Sequence, residues 1–136
     1  MVKKLLINAD GGSRGNPGPA AIGIVIRNEK NKILYNHSER IGIATNNVAE
    51  YKSLIKALEL AKDFDGEPTI FMDSELVVRQ MKGEYKVKAK NILPLFQRAK
   101  MLEKGFSKIT YKNVKRTDNM QQVADNLVNK ALDNGP

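Results

Sequence analysis

The decapeptide Asp10-Gly-Gly-Ser-Arg-Gly-Asn-Pro-Gly-Pro constrains this chain more than any other stretch. Four glycines and two prolines within ten residues exclude a helix and favour reversals. Apolar runs flank it: Leu5-Leu6-Ile7 before it, and Ala20 to Arg27 (AAIGIVIR) after it. In the second run Ile22, Ile24 and Ile26 repeat with period two, as in a strand with one face in a core. The spacing predicts a strand over 3–9, a Gly-Pro loop over 11–19 and a second strand over 20–27. Asp10 then closes the first strand, a carboxylate at a fixed place in front of a loop.

Beyond a turn at Asn28 to Asn31, residues 32–40 read as a third strand, which Ile41-Gly42-Ile43 can extend; the three make an antiparallel meander. Thr45-Asn46-Asn47 supplies helix-cap chemistry. Val48, Tyr51, Leu54, Ile55, Leu58 and Ala61 then follow at helical spacing, predicting a helix to about Phe64. Gly66-Glu67-Pro68 breaks it. Residues 69–72 form a short apolar strand suited to a parallel core. Ser74 caps a helix to about Met81, and 83–91 is a basic connection. A helix over 92–104, with Pro94 in its first turn, ends at Gly105. A strand over 107–114 with alternating Ile109, Tyr111 and Asn113, a loop over 115–119 and a last helix to about Leu132 complete the order. That order, β-β-β-α-β-α-α-β-α, means an α/β fold: a mixed five-stranded sheet with helices packed on its faces. At 136 residues and 41% hydrophobic content, one domain over 1–136 is expected.

Four carboxylates occupy strategic positions in this scheme. Asp10 and Asp73 end strands, and strand ends in a parallel core converge on a ligand-binding crevice. Glu50 lies one turn before Leu54, and Asp125 three residues before Val128, so each borders an apolar stripe. The chain has no cysteine and one histidine. An all-oxygen site for a hard divalent cation is the chemistry these residues allow, with Mg²⁺ or Mn²⁺ the natural occupant. Two such ions could activate a water and stabilise a leaving oxygen.

Charge narrows the partner. The formal net charge is +8. Between Ser74 and Arg116 twelve basic side chains face three acidic ones, a local excess of nine, so the remainder is close to neutral. A cationic flank beside an acidic metal site suits a phosphodiester. Leu5-Leu6-Ile7 is too short for a secretory core, and no run approaches the ~20 apolar residues of a membrane span. A cytoplasmic protein without membrane association is the expectation.

These residues resemble type 1 ribonuclease H. The resemblance rests on the decapeptide from Asp10, on Thr45-Asn-Asn-Val-Ala-Glu50, on Asp73-Ser74 and on Ala124-Asp-Asn-Leu127, and it covers nearly the whole chain. It implies the ribonuclease H-like fold and an endonuclease that hydrolyses the RNA strand of RNA/DNA hybrids, leaving 5′-phosphate and 3′-hydroxyl ends. It implies Asp10, Glu50, Asp73 and Asp125 as catalytic residues and metal ligands, with two ions bound alongside substrate. It further implies substrate contacts from Gly11, Ser13, Asn16, Thr45, Asn46 and Asn47. Lys86 and Lys88, in the basic connection, are expected on the DNA-strand backbone, and Arg116 also near the substrate. A monomer without an obligate protein partner is expected. A catalytically silent nucleic-acid-binding module of the same fold is the alternative.

The chain also departs from the family pattern. Many relatives carry a histidine in the loop before the last catalytic Asp; here that loop is Lys115-Arg116-Thr117-Asp118-Asn119, and the single histidine, His37, lies in the third strand as an ordinary strand residue. An apparent two-residue insertion around Met120-Gln121-Gln122 leaves Asp118 as the alternative to Asp125. Glu75 stands where some relatives carry Gln. No long basic protrusion is evident.

Overall fold

The second strand is where the fold is decided, because it is buried on both faces. A computed structural model describes residues 3–134. The chain forms β1 (Lys4–Ser13), β2 (Gly18–Asn28), β3 (Ile33–Ala44), α1 (Asn46–Ala61), β4 (Glu67–Met72), α2 (Glu75–Met81), α3 (Leu93–Glu103), β5 (Thr110–Asn113) and α4 (Asn119–Asp133). The strands lie in one sheet in the order β3-β2-β1-β4-β5. The β1–β2 and β2–β3 pairs are antiparallel, and β1–β4 and β4–β5 are parallel. Parallel pairs need crossovers, which α1 and the α2–α3 segment provide.

Ile22, Ile24 and Ile26 join Leu5, Ile7 and Ala9 in a core with Tyr51, Leu54 and Leu58 of α1. The intervening residues point the other way, to α4. Ala21 and Gly23 among them are small, and a Cβ on Gly23 would stand 2.3 Å from the Ala124 carbonyl oxygen. Helices therefore cover both faces of β2, which explains why every position from Ala20 to Arg27 is buried.

Three expectations need correction. β1 does not end at Ala9: Gly11, Gly12 and Ser13 continue it, paired with Ile22, Ala21 and Ala20. The glycine at 11 answers to packing instead of a loop, since a Cβ would lie 2.1 Å from the Ala49 carbonyl oxygen of α1. The first helix stops at Ala61, three residues early, with Lys62 as its C-cap. β5 is four residues long, not eight, because its pairing with β4 runs only from Thr110 to Asn113. The extension of the third strand through Ile41-Gly42-Ile43 is realised. Among the described residues no helix is long and apolar enough to cross a membrane.

Candidate active site

Asp10 lies within β1, two residues beyond the end of its pairing with β4. The β1–β4 ladder closes at Asn8 and Phe71. Continued two residues, that register sets Asp10 abreast of Asp73, just past the end of β4. Glu50 reaches this point from α1, its Oε1 accepting from the Gly11 N–H at 2.6 Å. The missing side chain at Gly11 permits the approach, since α1 rests its Ala49–Glu50 backbone against that position.

Ligand oxygens of Asp10, Glu50 and Asp73 lie within 4.8 Å of one another. Burial and the neighbouring charges of Asp73 and Asp125 push the Asp10 carboxyl up to about 8. Burial, then Asp10 and Asp73, raise Glu50 well above the ordinary carboxylate range, and the Gly11 N–H only partly offsets this. Asp73 is raised by burial, with Arg116 opposing; Arg116 Nε lies 3.9 Å from Asp73 Oδ2. Three oxygen-donor side chains that resist ionising together form a site a cation would relieve. With no sulfur or imidazole in the set, a hard divalent ion fits the donors.

These carboxylates lie in a cleft of about 480 Å³ that Asp125 also lines. Gly11, Ser13, Asn46, Asn47 and Arg116 line it too. Thr45 and Asn16 act around it. The Thr45 hydroxyl caps α1 by accepting from Val48 N–H at 3.3 Å, and Asn16 Oδ1 accepts from Asn46 N–H at 3.0 Å. Asn46 Oδ1 in turn accepts from Ser13 N–H at 3.0 Å, tying the β1–β2 turn to the start of α1. Lys86 and Lys88 are not in the cleft. They line a separate shallow groove with Leu76, Glu84 and Tyr85, near the far end of α2, where the Lys86 carbonyl accepts from Gln80 at 3.3 Å.

Asp118 stands apart from the cluster. Its carboxylate caps α4, accepting from Met120 and Gln121 N–H at 3.1 and 3.0 Å. His37 pairs with Glu39 at 2.8 Å within β3, and Glu75 pairs with Arg79. Sequence reasoning missed Arg14, which lines the cleft and pairs with Asp133 at 2.6 Å, and Asn129, whose amide lies 3.4 Å from Asp125 Oδ2. Position after a Gly-Gly pair, or one turn beyond Asp125, was the only signal either carried.

Comparison with known proteins matches this geometry to a family. The family model described as reverse transcriptase-like matches residues 8–131. The crystal structure of ribonuclease H1 from the archaeon Halobacterium salinarum superimposes with a TM-score of 0.92 at 39% identity, covering 97% of this chain and 99% of that one. The chain belongs to the type 1 ribonuclease H family. A ribonuclease H1 isolated from compost, solved in complex with an RNA/DNA hybrid, has a TM-score of 0.88 at 43% identity, covering 96% of this chain and 97% of that one. A bifunctional protein of Mycobacterium tuberculosis is 46% identical over 132 residues, 96% of this chain but 36% of its own length. The chain thus spans about a third of the length of that curated relative.

Proposed function

We propose that this protein is an endoribonuclease that hydrolyses the RNA strand of RNA/DNA hybrids in a divalent-metal-dependent reaction, leaving 5′-phosphate and 3′-hydroxyl ends. The observation that carries the reading is the convergence of Asp10, Glu50 and Asp73 within 4.8 Å, in a cleft that Asp125 completes. The compost ribonuclease H1 solved on a hybrid supports the substrate class.

Mg²⁺, or Mn²⁺ in its place, would be held by Asp10, Glu50, Asp73 and Asp125, and two such ions would supply an activated water and charge neutralisation at the leaving oxygen. The protein's own part is placement. Gly11 N–H holds one Glu50 oxygen, fixing the rotamer that faces Asp10. Asn46 and Asn47 border the cleft from the N-terminus of α1, where their side-chain amides suit a phosphate or a ribose 2′-hydroxyl. Reading that hydroxyl is how the RNA strand is told from the DNA strand. Arg116, largely exposed beside Asp73, is free to swing toward a phosphate. Lys86 and Lys88 meet the DNA-strand backbone from their own groove. The protein acts as a monomer in the cytoplasm.

The test is cleavage of an end-labelled hybrid with Mg²⁺, Mn²⁺ or EDTA, beside single-stranded RNA, duplex RNA and duplex DNA. Metal-dependent cutting of the hybrid's RNA strand is expected. Salt-sensitive binding with no cutting in any metal overturns the enzyme reading in favour of a silent binding module.

A further inference from the structure

The residues that look like an insertion before the last carboxylate contain the most buried polar contact on the α4 face of the sheet. Gln121 is 1% exposed and Asn8 is fully buried. Gln121 Nε2 donates to the Ala9 carbonyl at 3.0 Å, and its Oε1 accepts from Asn8 Nδ2 at 3.0 Å. Asn8 Oδ1 accepts from the Arg27 guanidinium at 2.9 Å, and a second Arg27 nitrogen donates to Asn31 Oδ1 at 2.7 Å. Arg27 also lies over the Phe71 ring. The chain of contacts runs from the helix through β1 to the β2–β3 turn.

Its position relative to the carboxylates gives it a task. The Ala9 carbonyl belongs to the peptide that leads directly into Asp10. Asp125 lies four residues after Gln121, one helical turn further on the same face of α4. A single amide therefore grips the backbone at one carboxylate and sets the helix that carries another. The close approach of Gly23 to Ala124 fixes how near α4 comes to the sheet, but small residues allow sliding and rotation. A buried two-point amide contact does not, because any other setting leaves polar groups unpaired.

We propose that Gln121, held by Asn8 and Arg27, is a positioning residue that fixes the rotation of α4 and so places Asp125 over Asp10. The inference rests on the metal-dependent reading above and assigns no chemistry to Gln121 itself. It accounts for the local sequence: Asp118 caps the helix, Gln121 locks it, and Asp125 projects from the next turn.

The experiment is Mn²⁺ binding by calorimetry to the whole chain without nucleic acid, with folding checked by circular dichroism. Gln121→Met keeps the length of the side chain but neither hydrogen bond. It is expected to weaken Mn²⁺ binding roughly tenfold, as loss of a group supporting a metal ligand does. In an Asp125→Asn background the same change is expected to have no further effect, because the residue it positions is already lost. If Gln121→Met does not fold, Arg27→Met, which removes the donor to Asn8 Oδ1, carries the same cycle in the same direction. Wild-type affinity in Gln121→Met, or a loss that adds to that of Asp125→Asn, overturns the proposal while leaving the function intact. A wild-type protein that binds no Mn²⁺ overturns both.

Discussion

Asp10 concentrates the cost and the use of this site in one side chain. Its carboxyl is raised from 3.8 to about 8 by burial and by the charges of Asp73 and Asp125. Between those values the folded state holds a proton that the unfolded chain releases. Stability of the metal-free protein is therefore highest at the acid end of the window and falls as pH rises from about 4 to about 8. Thermal melts in EDTA at pH 5, 6, 7 and 8 are expected to fall in order, and added Mn²⁺ to reverse the trend at pH 8. Asp10→Asn removes the group responsible, so in EDTA at pH 8 it is expected to stabilise the fold by on the order of 2 kcal/mol. The same variant is expected to lose cleavage by roughly 10³-fold, about 4 kcal/mol of transition-state stabilisation, while hybrid binding survives. A variant both less stable and fully active contradicts the assignment. The position of Asp10 behind an apolar run was legible in the sequence. Its partner Glu50 was legible only as a residue beside an apolar stripe, because periodicity gives the face of a helix but not what that face meets.

At the level of elements, two helices bring their carboxylates in over two glycines. Ala49, next to Glu50, rests on Gly11, and Ala124, next to Asp125, rests on Gly23. Gly23 also pairs directly with Asp10 across β1 and β2. A methyl group at either glycine would meet backbone oxygen at 2.1 or 2.3 Å, so the helix must move. Gly11→Ala and Gly23→Ala are each expected to destabilise by ~1–3 kcal/mol, the usual range for overpacking. Each is also expected to lower cleavage at temperatures where the variant is fully folded, since the displaced helix carries a carboxylate with it. Urea melts alongside single-turnover cleavage check this; lost stability with unchanged cleavage in the folded state would separate packing from the site. This layer was the least legible. Gly11 reads as loop because glycine lowers strand propensity, and its real cause lies in a helix 38 residues later. Gly23 sits unremarked within an isoleucine-rich strand, and Gln121 reads as part of an insertion because nothing local says that it turns inward. The order of strands and helices was legible because each carries its own period, whereas close approach between elements has no local signature.

Across the whole molecule, charge is divided between a carboxylate cleft and a cationic flank. The excess of nine positive charges between Ser74 and Arg116 includes the segment after α2. Ser74, beside Asp73, caps that helix, and Lys86 sits against Gln80 near its other end. Six residues separate the Ser74 cap from Gln80, roughly 9 Å of helix rise. A duplex lying across the cleft at Asp73 can therefore reach Lys86 and Lys88 with a neighbouring stretch of backbone, on the strand that is not cut. Such contacts supply affinity but no chemistry, because they lie outside the carboxylate cleft. Replacing both lysines by alanine is expected to weaken hybrid binding with little change in the cleavage rate at saturation. The dependence of log affinity on log salt is expected to flatten by up to about 0.9 per lost phosphate contact. Fluorescence anisotropy with a labelled hybrid between 50 and 200 mM salt, in the Asp10→Asn background to prevent cutting, measures the slope. An unchanged slope would move the DNA strand off this groove and leave Arg14 and Arg116, the two arginines lining the cleft, as the cations that meet the backbone.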